Sequence, residues 1–481
     1  MLKGVKMGNN EILEDINESY YEIDKIYEKE EEKKREDNFD KFLTNYNNIF
    51  NQFSWNNEVY SKLLLHSLLS KIFDKIYISV RANIIDPRIS LLLIQTQASG
   101  KGKGMIMIKK IIERLNINNE NPIKINSISD YTDAGLIGTI VETKVGKEFI
   151  NSVKLGVFSD QYSDIIYMEE AKLILASNKN RKDSNIFQYI NTGLNSVFSG
   201  ENVINKEMRL GRVSCRVNAC FILTTYPTSL ADIEGLKSGF YRRLLTYYNN
   251  LSINDLKENN TILTDSIITS ESKLIEYEKI INADLDRLTE ELKGYINNYK
   301  KMFKDGYLRV GIGSYVGVYI ESRMTEYFKR YSRDLGEDEA KILLSILTSY
   351  ENYALVIASH RAIINNTSII SREDIIYAFN IIENIMHGLE KYIDYVYENN
   401  SDWRQKESKK FTLTIKKILL EILKNKKLSK MELTGLIKEQ LKLLGIPKSN
   451  NVIFNALKEL HNEGFIIVEK EGKNSFVRLN N

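Results

Sequence analysis

Residues 91–104 read LLLIQTQASGKGKG, and this stretch decides how the rest of the chain is read. Four apolar residues (Leu91, Leu92, Leu93, Ile94) run into Ser99-Gly100-Lys101-Gly102-Lys103-Gly104, and Met105, Ile106, Ile108, Ile111 and Ile112 follow with helical spacing. A buried strand, a glycine turn and a helix in that order form a phosphate cradle. Glycines let backbone N–H groups crowd an anion, the helix N-terminus carries partial positive charge, and one lysine reaches the outer phosphates. Set against the spacing G-x-x-x-x-G-K-[ST], Gly102 and Lys103 occupy the Gly-Lys pair. Gln97 then stands for the first glycine, and Gly104 for the hydroxyl that would hold magnesium. Ser99, Gly100, Lys101, Gly102, Lys103, Gly104 and Met105 are accordingly the candidate nucleotide contacts, with Lys103 on the phosphates. A flexible turn rich in glycine and lysine is the competing reading.

Nucleotide hydrolysis also needs carboxylates for magnesium and water, and cations for the charge on the transferring phosphoryl group. About sixty residues after the loop, Asp164-Ile165-Ile166-Tyr167-Met168-Glu169-Glu170 is an apolar strand ending in two acids. Glu169 takes the magnesium-contacting position and Glu170 the position that polarises water. A third strand, residues 219–223, ends in Thr224-Thr225-Tyr226-Pro227, and Thr225 is the candidate sensor of the γ-phosphate. Further on, Ser238-Gly239-Phe240-Tyr241-Arg242-Arg243-Leu244-Leu245 sets two arginines before an apolar run. An arginine here would reach a neighbouring subunit's nucleotide; Arg243 is preferred, with Arg242 as the alternative.

The 481 residues suggest about three domains. Charge is unevenly spread. From Phe411 onward there are 13 Lys and Arg against 7 Asp and Glu, a net +6, while the remainder carries −3. A basic C-terminal module on a near-neutral body points to a polyanion partner. Cys215 and Cys220 are the only cysteines, which excludes a disulfide framework, and no Cys/His set has zinc spacing. No long uncharged apolar run and no signal-peptide pattern are present, so a cytoplasmic protein without a membrane partner is expected.

Four segments follow from the patterning. Residues 1–58 form a charged arm around EKEEEKKRED at 28–37, and residues 59–250 alternate strands with helices as an α/β domain. Residues 251–400 turn helical, including the capped segment Ser371-Arg372-Glu373-Asp374. A charged linker then leads to residues 411–481, where helical patterns fill 413–423, 429–443 and 451–463. Gly464 ends the last helix, and 465–468 pairs with 475–479 across Glu471-Gly472-Lys473-Asn474. Three helices and a hairpin make a winged helix-turn-helix. Lys448, Asn451, Asn455 and Lys458 are its candidate DNA contacts, with Lys470 and Lys473 on the wing. Such modules also dock proteins.

The order of these elements resembles that of the AAA+ ATPases, most nearly the minichromosome-maintenance (MCM) helicases and their relatives on viruses and mobile elements. Asp133-Ala134-Gly135-Leu136-Ile137-Gly138 is similar to the family's A/S-G-L-T segment, and Lys154-Leu155-Gly156-Val157-Phe158 to its E-A-G-A-L. Residues 197–206, VFSGENVINK, sit where the family inserts a hairpin into the ring pore, and Lys206 matches its DNA-contacting lysine. Arg361 stands as the candidate sensor arginine of the helical block. The resemblance runs from about Ile85 to the end, and the chain departs from the pattern at Gln97, Gly104, Glu169 and Tyr226. No room exists in about 85 residues for the family's large N-terminal collar. The resemblance implies an α/β P-loop AAA+ core with a parallel sheet, an α-helical lid domain and a C-terminal winged helix-turn-helix. It implies a homo-oligomer, a hexameric ring, that hydrolyses ATP with Mg2+ at subunit interfaces and couples this to DNA translocation, as a replicative helicase does. Two other classes stay open: an origin-binding initiator using ATP as an assembly switch with little turnover, and a non-hydrolysing DNA-binding scaffold.

Overall fold

A computed structural model of the chain describes residues 37–54, 58–80, 83–96, 99–117, 119–128, 132–145, 148–169, 171, 186–208, 210–227, 239–250, 271–303, 306–335, 337–399, 415–416, 418–424, 426–443, 450–462, 464–471 and 474–480. The chain divides into two compact units, Met1–Ile393 and Asp394–Asn481.

Two helices open the first unit. In α1 (Asn38–Phe53), Phe39, Phe42, Leu43, Tyr46, Ile49 and Phe50 recur every three or four residues and are all buried as one stripe. The charged arm expected over 1–58 therefore gives way to a packed helix from residue 38. α2 (Glu58–Ile72) buries residues on every face, as a core helix does. It leads into β1 (Ile76–Val80) and β2 (Asn83–Ile85).

Next, β3 (Leu91–Gln95) runs through the glycine turn into α3 (Lys101–Leu115), and β4 (Ile125–Ile128) and the short α4 (Asp133–Ile137) follow. An antiparallel ribbon of β5 (Gly138–Val145) and β6 (Glu148–Leu155) intervenes before β7 (Ile165–Met168). After α5 (Ile186–Gly193), a second ribbon of β8 (Val203–Met208) and β9 (Gly211–Arg216) leads into β10 (Cys220–Thr225). A 3₁₀ turn at Tyr241–Arg243 precedes β11 (Leu245–Asn249). The central sheet has the order β11–β3–β10–β7–β4, and every pair in it is parallel. Every residue of β3, β7 and β10 is buried, which is why these strands read as continuous apolar runs rather than alternations.

The remainder of the first unit is built from α6 (Glu271–Lys301), α7 (Ser314–Asp334), α8 (Glu337–Ile364) and α9 (Arg372–Asn399), the last of which runs past the unit boundary at Ile393. It is not purely helical. β12 (Leu308–Ile312) pairs in parallel with β1, and β13 (Ile369–Ile370) with β12, so a second sheet of order β13–β12–β1–β2 stitches this block to strands that precede the loop. α8 is long and apolar enough to cross a membrane by composition, yet 61% of its apolar window is buried inside the protein. Ser371 caps α9, its N–H donating to Asp374 Oδ2 at 2.9 Å. Arg361 does not serve as a free sensor. Its guanidinium lies 3.1 Å from Asp374, 3.2 Å from Asp40 and 3.5 Å from Asp37, tying α8 to α9 and to the start of α1.

In the second unit, residues 415–416 and 418–422 are helical, and β14 (Leu428–Ser429), α10 (Lys430–Leu443), α11 (Asn450–Asn462), β15 (Ile466–Glu471) and β16 (Asn474–Leu479) follow. The strands form an antiparallel sheet in the order β14–β16–β15. Leu419, Leu433, Ile437, Ile453, Leu457 and Val477 share one apolar core with the helices. A reciprocal cap starts α10: the Glu432 N–H donates to Ser429 Oγ at 3.2 Å, and the Ser429 N–H to Glu432 Oε2 at 3.0 Å.

Two features of this packing have measurable consequences. α3 approaches α1 and α2 so closely that only glycine fits at the contact. A Cβ on Gly104 would lie 2.9 Å from Phe50 Cζ, 2.9 Å from Tyr60 Cε1 and 3.0 Å from Leu64 Cδ1. Gly104→Ala is expected to destabilise the fold by about 1–3 kcal/mol through overpacking, more than the ~1 kcal/mol that helix propensity returns. Adding Phe50→Leu should restore part of the loss in thermal unfolding.

The second feature is a buried histidine pair. The His66 and His360 rings stack at 5.4 Å with Nδ1 atoms 3.2 Å apart, and His66 Nε2 contacts the Tyr377 hydroxyl at 3.0 Å. Burial holds both imidazoles below the usual histidine range, His360 at about 3, with their mutual repulsion and Lys62 adding to the effect on His66. Both are neutral in the fold, so the unfolded chain binds more protons below about pH 6.5. Stability should therefore fall as pH drops from about 6.5 toward 3, by up to ~1.4 kcal/mol per histidine per pH unit. Urea unfolding at pH 7.5 and 5.5 should differ by roughly 2–3 kcal/mol from this pair, and the difference should shrink in a His66→Gln/His360→Gln variant.

Candidate functional site

The turn after β3 is held from several sides. The Thr96 N–H donates to the Asn249 carbonyl at 3.3 Å, which extends the β3–β11 pairing by one step. Gln97 and Ala98 lie outside the described residues. The chain re-enters at Ser99, buried, whose Oγ donates to Gln95 Oε1 at 3.2 Å. Gly100 then adopts φ +76°, a left-handed conformation that glycine takes without a Cβ clash, and α3 begins at the next residue.

Helix geometry separates the two lysines of this turn. Lys101 is only 7% exposed. Its Nζ lies 3.4 Å from the Thr225 carbonyl oxygen and 3.6 Å from the centroid of the Tyr226 ring, a cation–π contact. Lys103 is on the exposed side of α3. The glycines separate in the same way. A Cβ on Gly102 would lie 3.7 Å from Glu169 Oε1, whereas Gly104 faces Phe50, Tyr60 and Leu64. Gly104 therefore packs against α1 and α2, and Gly102 is the glycine beside Glu169. The spacing G-x-x-x-x-G-K-[ST] can also be laid on Gln95, Gly100, Lys101 and Gly102, which puts the buried lysine in the Lys place. That is two residues earlier than the sequence reading centred on Lys103. Met105 is buried beneath the helix.

Strand register brings the other candidates to the same edge. β10 lies between β3 and β7, with Thr225 opposite Ile94 and Leu223 opposite Met168. Thr225 is buried at the end of β10, and Glu169 is exposed at the end of β7. Glu170 lies outside the described residues.

The arginines are elsewhere. Leu245 pairs with Leu91, and its N–H donates to the Ser90 carbonyl at 2.9 Å, so Arg242 and Arg243 precede the amino end of the sheet. Four residues of parallel strand, about 13 Å, separate that edge from the loop. Both arginines are exposed and line a cleft of about 550 Å³ together with Asp86, Glu201 and Glu351. The Tyr353 hydroxyl fixes the backbone there, donating to the Arg243 carbonyl at 2.6 Å. Arg88 at the same edge is buried; its guanidinium pairs with Asp86 at 2.7 Å and donates to the Gly193 carbonyl at 3.0 Å and the Asn195 carbonyl at 2.6 Å.

The β8–β9 ribbon leads into the start of β10, and just after the β5–β6 ribbon the Asp160 N–H donates to the Arg216 carbonyl at 3.0 Å. Lys206 is half-buried in β8 opposite Val213, while Arg212 and Arg216 on β9 are exposed. The hairpin expected around 197–206 thus spans 203–216. The β5–β6 ribbon was not anticipated from sequence. Its base joins the segments around Gly135 and Gly156: the N–H groups of Gly156, Val157 and Phe158 donate to the carbonyls of Ile137, Gly135 and Leu136. A Cβ at Gly156 would sit 2.4 Å from the Leu136 carbonyl oxygen, so this backbone approach requires glycine. β9 lies beside β5, with Gly211 against Ile140.

In the second unit, Lys458 and Phe454 are exposed on α11, and Lys430 Nζ lies 5.2 Å from the Phe454 ring. Lys448 and Lys473 fall outside the described residues, as do the side chains of Asn451, Asn455 and Lys470. No protein-family model and no curated protein matches this chain.

Proposed function

We propose that the chain is an ATP-driven DNA motor of the AAA+ type, assembled as a ring in which each nucleotide site is completed by a neighbouring copy. The observation that carries this reading is the division of the sheet between its edges. The glycine turn, Lys101, Thr225 and Glu169 gather at the carboxyl edge, and Arg243 sits at the amino edge. In this reading the turn and α3 cradle the phosphates, and Lys101 supplies the ammonium that Lys103 was expected to supply. Glu169 is the carboxylate placed to hold magnesium, which when bound offsets phosphate charge. Glu170 polarises water, and Thr225 senses the γ-phosphate. Arg243 acts on the neighbour's nucleotide. Lys206, Arg212 and Arg216 on the β8–β9 ribbon contact the phosphate backbone of DNA in a sequence-independent, salt-sensitive manner. The second unit is read as a winged helix-turn-helix that presents Lys458 to DNA.

One observation favours a slower variant of the same machine. Gly102, rather than a serine or threonine, faces Glu169. A site without that hydroxyl suits an initiator that uses ATP to assemble more than to turn over.

Steady-state ATPase with and without single-stranded DNA separates the two: DNA-stimulated turnover supports the motor, and tight binding without turnover supports the switch. Lys101→Ala is expected to weaken ATP binding at least about 10-fold, since a charge-assisted contact to phosphate is worth about 1.5–3 kcal/mol. Lys103→Ala should stay within about threefold of the parent. The reverse pattern would return the loop to the later register.

Arg243→Ala should lower turnover by on the order of 10³-fold while sparing ATP affinity. Mixing it with Lys101→Ala protein should recover partial activity, because mixed interfaces can join an intact loop to an intact arginine. If the mixture never exceeds its parents while subunits exchange, the shared site is refuted. Loss in Arg242→Ala instead would move the role by one residue.

A further inference from the structure

Two buried side chains from the helices ahead of the loop donate hydrogen bonds to the backbone of its first turn. Ser54, the C-terminal cap of α1, donates from Oγ to the Gly100 carbonyl at 3.1 Å. The Tyr60 hydroxyl, on α2, donates to the Lys101 carbonyl. Both residues are buried. Burial raises the Tyr60 phenol well above its usual range, so it remains a donor at any working pH.

The two carbonyls belong to consecutive peptide planes. In a trans peptide the C=O and the following N–H point in opposite directions. A donor fixed on the Gly100 carbonyl therefore sets the direction of the Lys101 N–H, and one on the Lys101 carbonyl sets that of the Gly102 N–H. Both N–H groups lie in the first turn of α3, where a helix offers no acceptor of its own. They are the groups that an anion at the head of the helix would use. Hydrogen bonding at the carbonyl also polarises the amide and strengthens the N–H on its far side. The Gly100 carbonyl already accepts from the Lys103 and Gly104 N–H groups at 3.0 and 3.3 Å, so Ser54 adds a third donor to one oxygen. Helix formation accounts for the first two donors and leaves the Ser54 contact without a need in the helix itself. Gly104 makes the Tyr60 contact reachable, since any side chain there would push α2 away.

We propose that Ser54 and Tyr60 are positioning residues of the phosphate cradle, aiming the Lys101 and Gly102 N–H groups at bound phosphates, so that the α1–α2 pair is a working part of the nucleotide site. This rests on the reading of the loop as a phosphate cradle. The geometry of the two bonds gives it a sharper consequence: the benefit falls on the phosphates and not on the base or sugar.

The test uses the full chain with Tyr60→Phe and Ser54→Ala, each removing one oxygen and leaving the packing volume nearly intact. Dissociation constants for MgATP, MgADP and adenosine are measured well below the unfolding temperature, with thermal midpoints recorded in parallel. Each variant should weaken both nucleotides about 3–10-fold, as for one lost neutral hydrogen bond, and leave adenosine within about twofold. The double variant should lose more than either single one. Lowered midpoints with unchanged nucleotide affinity would overturn the proposal, as would equal losses for adenosine and the nucleotides. Lys101→Ala separates the cradle from its support. If it binds MgATP like the parent, or if the parent binds none, the cradle reading itself fails. If Lys101→Ala loses MgATP while Tyr60→Phe and Ser54→Ala do not, the cradle stands and the positioning role falls. Should Tyr60→Phe fail to fold, Ser54→Ala decides the matter alone.

Discussion

The arrangement depends on one strand. β3 has no exposed residue and pairs in parallel with β10 on one side and β11 on the other. A buried strand must satisfy every backbone group through its neighbours, so both partners are locked in register, with Ile94 opposite Thr225 and opposite Tyr248. Parallel strands all exit at the same edge. The glycine turn, the end of β10 and the end of β7 therefore converge without any specific contact having to bring them together. The same register sends what precedes β11, including Arg242 and Arg243, to the far edge.

A second constraint acts on α3 from outside the sheet. Gly104 lets the rings of Phe50 and Tyr60 come into van der Waals range of the helix backbone. Arg361 and Asn365 on and after α8 then anchor α1 from the other end, the Phe39 N–H donating to Asn365 Oδ1 at 2.8 Å. The turn is thus clamped between a rigid strand and a helix pair that is itself tied to the helical block. On the proposed reading, a loop held in this way would keep its N–H groups directed before nucleotide arrives, and preorganisation of this kind reduces the ordering cost of binding.

How much of this was legible follows from what burial does to sequence. The strand–turn–helix at 91–115, the acidic strand and the third strand were readable because strands buried on both faces leave short apolar runs, here bounded by Gly, Glu or Thr. The helices and hairpin of the second unit were readable from helical period and from Gly464, with the Ser429–Glu432 cap adding a start signal that the reading did not use. Gly100-Lys101 and Gly102-Lys103 both satisfy the Gly-Lys pair in sequence, and the burial that distinguishes the two lysines is not written in that local pattern. The stripe of α1 is present in the letters, but it follows directly on the charged run at 28–37, whose composition is that of a solvated segment. The β5–β6 ribbon exposes residues on both faces, so it carries no hydrophobic period to find. The pairing of β12 with β1 joins segments more than two hundred residues apart, a contact that no local pattern encodes.

The separation of Lys101 from Arg243 sets a condition on any chemistry that needs both. Strands buried in a five-stranded sheet do not slide, because every slip breaks a ladder of hydrogen bonds on each side. An arginine side chain, at about 6–7 Å, spans roughly half of the ~13 Å between the two edges. No rotamer of Arg243 can therefore reach the turn of its own chain. Arg88, which sits closer to the sheet, is held by Asp86 and by backbone carbonyls and cannot substitute for it. On the proposed reading, a lone chain would bind nucleotide with its carboxyl edge and leave its amino-edge cleft facing solvent. A second copy docked edge to edge would place the arginines of one against the phosphates of the other. Nucleotide would then act as part of the contact between copies, and its hydrolysis would remove charge from that contact. Assembly and turnover would share one set of residues, and in this reading Gly102 and Glu169 decide how quickly the second follows the first.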